Sequence, residues 1–354
     1  MTKVVVALSG GVDSSVAAAL LKQQGYEVIG MMLRLWSETG KEDSNRCCTP
    51  DAMAMARRVA AILDIPFYVI NAKEVFKETV VQYFLDGYAR GETPNPCLIC
   101  NKQIRWRFLL DHALALDADF MATGHYVRIK SDEKGRKQLL RAIDRSKDQS
   151  YVLHILNQEK LAKAMFPIGD YPKSDIRKIA ESFGLPTASR HDSQDLCFLA
   201  GEDYRNFLQR NAGELFNRGQ IVSSSGEVLG EHNGLVNYTI GQRKGLPIAS
   251  SVPLYVLRKN APTNTLVVGE QIELGLSELI ANDVNWVSGE PFTQSFDAEV
   301  KIRYTAKEAA AHVTPLDHGK RVRIQFDAPQ RDITAGQAAV FYCGEVLIGG
   351  GTIQ

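Results

Sequence analysis

The chain has 354 residues, 45% hydrophobic and 23% charged, with a formal net charge of zero; this excludes a disordered or fibrous chain and predicts two or three globular domains. No apolar run reaches bilayer length and the first residues read as a strand rather than a signal peptide, so no membrane partner is expected and the cytoplasm is the expected compartment. With no global field, any nucleic-acid contact has to come from local basic patches.

Residues 4–8 are a short apolar run that reads as a buried strand, and 15–24, rich in alanine and leucine, read as a helix. Between them the chain runs Ala7-Leu8-Ser9-Gly10-Gly11-Val12-Asp13-Ser14. A strand, a turn with two glycines and a helix start make an anion site, because the glycines let backbone N–H groups approach a ligand and the helix end adds partial positive charge. Ser9 and Ser14 add hydroxyl donors, and Asp13 can hold magnesium through oxygen. No Lys-Ser/Thr pair follows the glycines, and the G-x-G-x-x-G spacing is absent, so neither a Walker A loop nor the dinucleotide fingerprint is present.

Strands and helices then alternate. Residues 26–33, 65–70 and 119–126 read as strands; 50–63, 73–88 and 101–116 read as helices, the first opened by Pro50. This alternation predicts an α/β domain with a doubly wound parallel sheet, Rossmann-like, whose ligand crevice lies beyond the carboxyl ends of the strands. A turn-rich stretch ending in Cys97-Leu98-Ile99-Cys100 precedes the third helix, and Thr123-Gly124-His125 follows the last of these strands. Residues 130–137 read as a hairpin tip or mobile loop, 149–184 as largely helical, and 203–209 as the last helix. After about residue 212 short strands split by turn residues predict two small all-β domains, read as barrels, with a join near 274–278. The expected domains are 1–212, 213–275 and 276–354.

Six cysteines in a chain of this size are not a secreted disulfide framework, so reduced, catalytic or metal-binding thiols are expected. A thiol at a helix N-terminus has a lowered pKa. Lys102, Arg105 and Arg107, with Trp106 among them, could favour that thiolate, or grip a phosphate backbone and stack a base; for the basic residues alone a solvated face is the plainer reading. Cys47-Cys48 reads as incidental, Cys197 by itself as a buried thiol before the last helix, and Cys343 as strand packing.

The segment Ser9 to Ser14, SGGVDS, resembles the PP-loop of ATP pyrophosphatases, which cut ATP between its α and β phosphates. With PNPCLICN at 94–101, ATGHY at 122–126, SKDQSY at 146–151, SQDLCF at 193–198 and GQRKGL at 241–246, the whole chain resembles the bacterial tRNA-specific 2-thiouridylases. The resemblance implies ATP-dependent 2-thiolation of the wobble uridine, position 34, in the anticodon loop of tRNA, with magnesium as helper and a sulfur-donor or relay protein as partner. It implies an ATP site at residues 7–14 with Leu33 and Gly124, Cys100 as nucleophile and Cys197 as persulfide carrier. It further implies that Asn95, Pro96 and Cys97 meet the target base, that Lys147, Asp148, Gln149, Arg303 and Tyr304 contact tRNA, and that His125 and Gln337 serve tRNA recognition. Some relatives carry Asp where this chain has Cys97, which puts a general acid or base at that position in doubt.

Adenylating the C2 oxygen turns a poor leaving group into AMP. A Cys197 persulfide then delivers sulfur to C2, directly or after Cys100 attacks it to release sulfide, and a Cys100–Cys197 disulfide is left to be reduced. The target base has to be turned out of its loop. Three alternatives stand beside this reading: an iron–sulfur cluster on Cys97, Cys100 and Cys197, set second because Cys197 lies far from the other two; a PP-loop amidoligase, for which no ammonia-supplying region is evident; and an RNA-binding protein with a relic ATP site.

Overall fold

A computed structural model describes residues 1–40, 49–190, 196–331 and 333–354; the Cys47-Cys48 reading and the first half of SQDLCF lie outside them. Five strands form a parallel sheet: β1 (Lys3–Ala7), β2 (Glu27–Arg34), β3 (Phe67–Asn71), β4 (Phe120–Ala122) and, further along, Ala164–Met165. Their order is β3-β2-β1-β4 with Ala164–Met165 at the edge. The central strand β1 holds Val4, Val5 and Val6, all fully buried. Alternate residues of a strand face opposite sides, so Val4 and Val6 join one core and Val5 the other. That is why the run reads as continuous rather than alternating apolar residues.

The first core is covered by α1 (Val12–Gln23) and α2 (Pro50–Ile62), with the helices at 73–89, 173–182 and 204–211. Thr49 caps α2 by accepting from Ala52 N at 3.0 Å, and Pro50 occupies its first turn. The helix expected at 101–116 starts earlier: Pro96–Ile99, Cys100–Leu109 and Leu110–Leu114 run without a break, the middle part π-helical. The expectation of helix over 149–184 is corrected. Three separate helices, Ser150–Leu153, Gln158–Leu161 and Lys173–Ser182, are interrupted by the edge strand.

Residues 130–137 are the turn of a hairpin, β5 (Val127–Ser131) and β6 (Lys137–Arg141), and this hairpin does not stay with its own domain. It adds to a barrel made of Leu276–Trp286, Phe296–Lys301, Ala309–Leu316, Arg321–Gln330, Ala338–Cys343 and Val346–Ile353, closed by pairing of the first strand with the last. The last strand also takes β6, through Val346 opposite Leu140 and Leu347 opposite Leu139. Arg141, 6% exposed, locks this junction. It donates to Glu308 at 2.6 Å and Glu299 at 2.8 Å and stacks 3.9 Å from the Tyr342 ring centroid.

The central domain is all-β, as expected. Its four strands, Tyr255–Asn260, Thr265–Gly269, Arg218–Ser223 and Val228–Asn233 in that spatial order, make a sheet with two edges. The expected join at 274–278 is short, since the first barrel strand already begins at Leu276.

Candidate active site

The loop between β1 and α1 is shaped by its glycines. Gly10 has φ +72°, and a Cβ there would lie 2.4 Å from the Ala52 carbonyl oxygen, so the loop presses its backbone onto α2. Gly11 caps α1 in extended conformation with no side-chain hydrogen bond to the helix, which leaves first-turn N–H groups for another acceptor. Ser9 N–H donates to Ser14 Oγ at 3.2 Å, the two hydroxyl oxygens are 3.2 Å apart, and Ser15 Oγ donates to Gly11 O at 2.8 Å. From the far side Gly124 closes the cradle, where a Cβ would stand 2.6 Å from Ser14 N. Ala7, Leu8 and Val12 contribute backbone, with Leu8 and Val12 buried as packing, and Leu33 touches both cores from β2.

This donor set fits a polyphosphate. Uncapped helix N–H groups, two hydroxyls and a close backbone approach that only glycine allows are what such a ligand needs. Asp13 is engaged within the protein. Lys173 Nζ lies 2.6 Å from its Oδ1 and 2.8 Å from its Oδ2, and Tyr126 OH donates to Oδ1 at 2.7 Å. Among the described residues no group of three or more His, Cys, Asp or Glu side chains is arranged to hold a metal ion. A magnesium ion here would take Asp13 together with phosphate and water oxygens, the usual pattern for that ion. Arg190 flanks the loop, donating to Gly10 O at 3.0 Å.

The thiols lie on the neighbouring elements. Asn95 precedes the cysteine helix in extended conformation, Pro96 takes its first turn, Cys97 is exposed and Cys100 half-buried. Cys197, half-buried, opens the short turn Cys197–Leu199. Cys100 and Cys197 pack against the same core cluster. A cavity of about 580 Å³ brings Asn95, Pro96 and Cys97 together with Leu196, Tyr204 and Gln337. Its two acids are taken: Glu202 binds Arg210 through both oxygens, and Asp203 caps the helix Tyr204–Asn211. Base stacking by Trp106 is corrected, because the ring is fully buried against Phe166. Lys102 and Arg107 do face solvent, whereas Arg105 turns inward. Cys343 ends its strand exposed rather than packed.

His125 is 5% exposed and both ring nitrogens are engaged. Arg105 Nη1 lies 2.9 Å from Nε2, and Thr123 Oγ1 2.7 Å from Nδ1. A guanidinium has only donors, so Nε2 accepts and Nδ1–H donates to Thr123. Burial, then the Arg105 charge, hold this imidazole well below the ordinary histidine range, neutral. The link continues through Arg105 to Asn101 Oδ1 at 3.4 Å and from Asn101 Nδ2 to Cys97 O at 3.0 Å. The turn packed against the Ser9–Ser14 loop is thereby tied to the cysteine helix.

The remaining expected contacts divide. Asp148 is buried and holds its own loop, accepting from Ala142 N at 2.8 Å and Ser150 Oγ at 2.6 Å, so its carboxylate is committed inside. Gln149 is joined to the Tyr126 backbone, and Lys147 sits half-buried at the neighbouring turn. From the barrel, Gln337 Nε2 donates to Thr93 O at 2.7 Å, Arg303 Nη2 donates to Thr334 Oγ1 at 2.5 Å, and Tyr304 is exposed with its ring 6.1 Å from Tyr151. Burial, then Asp148 and Cys97, raise the Tyr304 phenol. Barrel residues and the cysteine segment therefore share one rim. Lys173, Tyr126 and Arg190 were not among the sequence candidates; Tyr126 lay within ATGHY, but nothing local marked the other two.

Family models match the chain in three consecutive parts: a tRNA methyl transferase HUP domain over residues 2–201, a tRNA methyl transferase PRC-barrel domain over 205–270 and an aminomethyltransferase beta-barrel domain over 276–353. The tRNA-specific 2-thiouridylase MnmA of Moorella thermoacetica is 48% identical over 352 residues, covering 99% of this chain and 98% of that one. The protein of the same name from Acetivibrio thermocellus is 44% identical, covering 99% of both. Among solved structures, a 4-thiouridine synthetase–RNA complex with bound ATP aligns at 18% identity and a TM-score of 0.35, over 60% of this chain and 51% of that one.

Proposed function

This chain belongs to the tRNA-specific 2-thiouridylase family, and we propose that it replaces the C2 oxygen of the wobble uridine of tRNA by sulfur, consuming ATP and releasing AMP and pyrophosphate. In this reading residues 1–212 form the ATP-binding catalytic domain, 213–275 a central β domain and 276–354 the barrel that meets tRNA.

Residues 7–14, Leu33 and Gly124 hold ATP and Asp13 the magnesium ion. ATP supplies the adenylyl group that makes the C2 oxygen a leaving group. Cys197 carries the sulfur as a persulfide loaded by a donor protein. Its terminal sulfur attacks C2 and AMP departs; Cys100 thiolate then attacks Cys197 Sγ in the resulting C2–S–S–Cys197 adduct. The S–S bond breaks, the sulfur stays on C2, and a Cys100–Cys197 disulfide forms for an external thiol to reduce.

The observation that carries this reading is the cavity where Asn95, Pro96 and Cys97 face Leu196, next to Cys197, with Gln337 of the barrel on its rim. It joins a base-contacting segment to the persulfide segment and is wide enough for a pyrimidine turned out of its loop. The test is mass analysis of nucleosides from unmodified tRNA after incubation with the protein, magnesium ATP and a persulfide donor. 2-Thiouridine is expected with wild type and not with Cys197→Ser; its absence with wild type would reject the assignment.

A further inference from the structure

Between the helix Gln82–Ala89 and the helix opened by Pro96, residues 92–95 belong to no helix or strand. Pro94 and Pro96 push Thr93 and Asn95 toward extended backbone and offer no N–H of their own; Asn95 has φ −110° and ψ 92°. This stretch carries Asn95 and leads into Cys97 and Cys100, yet no repeating hydrogen bonds hold it. The other two domains do. Thr93 N–H donates to Ala335 O at 2.9 Å and Thr93 O accepts from Gln337 Nε2 at 2.7 Å, so one turn of the barrel binds both of its backbone groups. Gly336, at φ +88°, lets that turn press close: a Cβ there would lie 3.1 Å from Glu92 Cβ and 3.2 Å from the Thr93 carbonyl carbon. From the central domain, Lys259 Nζ reaches the Glu92 carbonyl oxygen at 3.4 Å. Tyr151 fixes the end of the barrel turn. It is fully buried, and its hydroxyl donates to Ala338 O at 3.1 Å and accepts from Ala338 N–H at 3.2 Å. Burial raises this phenol's pKa, while the Ala338 backbone, the Arg303 charge and the Asn95 amide oppose the rise, which puts Asn95 beside the same hydroxyl.

Resting on the reading of Asn95 to Cys97 as the segment that meets the target base, we propose that Gln337 and Tyr151 are positioning residues of the thiolation site, acting through Thr93 and Asn95 instead of touching tRNA. Tyr151 has no exposed surface to offer RNA, and the Gln337 amide nitrogen is engaged by Thr93. A base turned out of its loop meets Asn95 in the conformation that the barrel imposes. Without these bonds residues 92–95 sample other extended conformations, and only a fraction of bound bases lies in reacting geometry. Losing them slows the chemical step and spares affinity for a tRNA of which Asn95 meets a single base. The barrel in this way completes the active site as well as facing the substrate.

The test separates rate from affinity. In single-turnover thiolation at saturating tRNA, Gln337→Ala and Tyr151→Phe should each be about tenfold slower than wild type, with Kd for tRNA and for magnesium ATP within about threefold. In an Asn95→Ala background both effects should shrink to within about threefold, since their common target is gone; a merely structural role would leave them undiminished. Tyr151→Phe keeps the buried ring, and if it fails to fold, the half-buried Gln337 carries the test alone. Unchanged rates in both folded variants, or a loss of tRNA affinity that accounts for the whole loss of rate, would overturn the positioning. Asn95→Ala thiolating at the wild-type rate would instead reject the base-contact reading, and the positioning with it.

Discussion

Replacing Gly124 by alanine puts a Cβ 2.6 Å from Ser14 N and 2.7 Å from the Asp13 carbonyl carbon, both backbone atoms at the start of α1. An ordinary contact needs a further parting of about 0.8 Å. The turn cannot retreat, because Thr123 and His125 on either side are buried and bonded to each other at 2.7 Å, and His125 is held by Arg105 at 2.9 Å. The displacement therefore falls on the helix start that forms the phosphate cradle. Overpacking of this kind costs about 1–3 kcal/mol, and a misplacement approaching 1 Å at a reacting centre costs about 100-fold in rate. Gly124→Ala should fold with reduced stability, bind ATP about tenfold or more weakly, and thiolate tRNA about 100-fold more slowly. Gly213→Ala is the control, since its Cβ would meet only Gln209 Nε2 at 3.6 Å. ATP titration beside a thermal melt separates the effects; a folded Gly124→Ala with wild-type ATP affinity would refute the geometry.

Cys100→Ser and Cys197→Ser should each abolish thiolation, whereas Cys97→Ser keeps much of it with iron-free protein and a persulfide donor; strict iron dependence, lost equally in all three, would favour a cluster on these thiols. Lys147→Ala and Arg303→Ala should each lower the salt dependence of tRNA affinity by about one charge while sparing ATP binding, read from log Kd against log salt. Burial lowers the Lys259 ammonium to about 8, where it meets the Glu92 carbonyl oxygen at 3.4 Å across the junction of central and catalytic domains. The unfolded chain keeps that proton to higher pH, so this group's contribution to stability improves as pH rises from about 8 toward 10.5. Lys259→Met should accordingly raise the melting temperature below pH 8 and lose that advantage by pH 10.5; a pH-independent difference would remove the buried charge as its cause.

What the chain determines locally could be read from it directly. The valine run of β1, the two glycines before α1, Thr49 and Pro50 at α2, and the alternation of Val322, Ile324 and Phe326 each fix a conformation within a few residues. Where the local signal misleads, the element cannot be read from the sequence. Ala309 to Ala311 are not strand-like in composition, yet they lie in a barrel strand. The strand Leu276–Trp286 begins exposed and its pairing shifts register twice, once toward each neighbour, so its alternation is lost. Gly349, Gly350 and Gly351 pair as a strand against its two neighbours, and only glycine fits there because a Cβ would strike Asn285, His154 or Asn282 within 2.7 Å.

The site divides the same way. SGGVDS and the Cys97–Cys100 segment could be singled out as candidates, since backbone donors, hydroxyls and thiols act through their own local geometry. Lys173 on Asp13, Arg105 on His125, Arg141 between two glutamates and Gln337 on the Thr93 carbonyl could not be read, because each joins residues brought together only by packing. A sequence carries the period of its buried faces and the preferences of its turns. Which buried ammonium meets which carboxylate depends on how the faces stack, and at Asp13 that stacking decided the charge the loop presents.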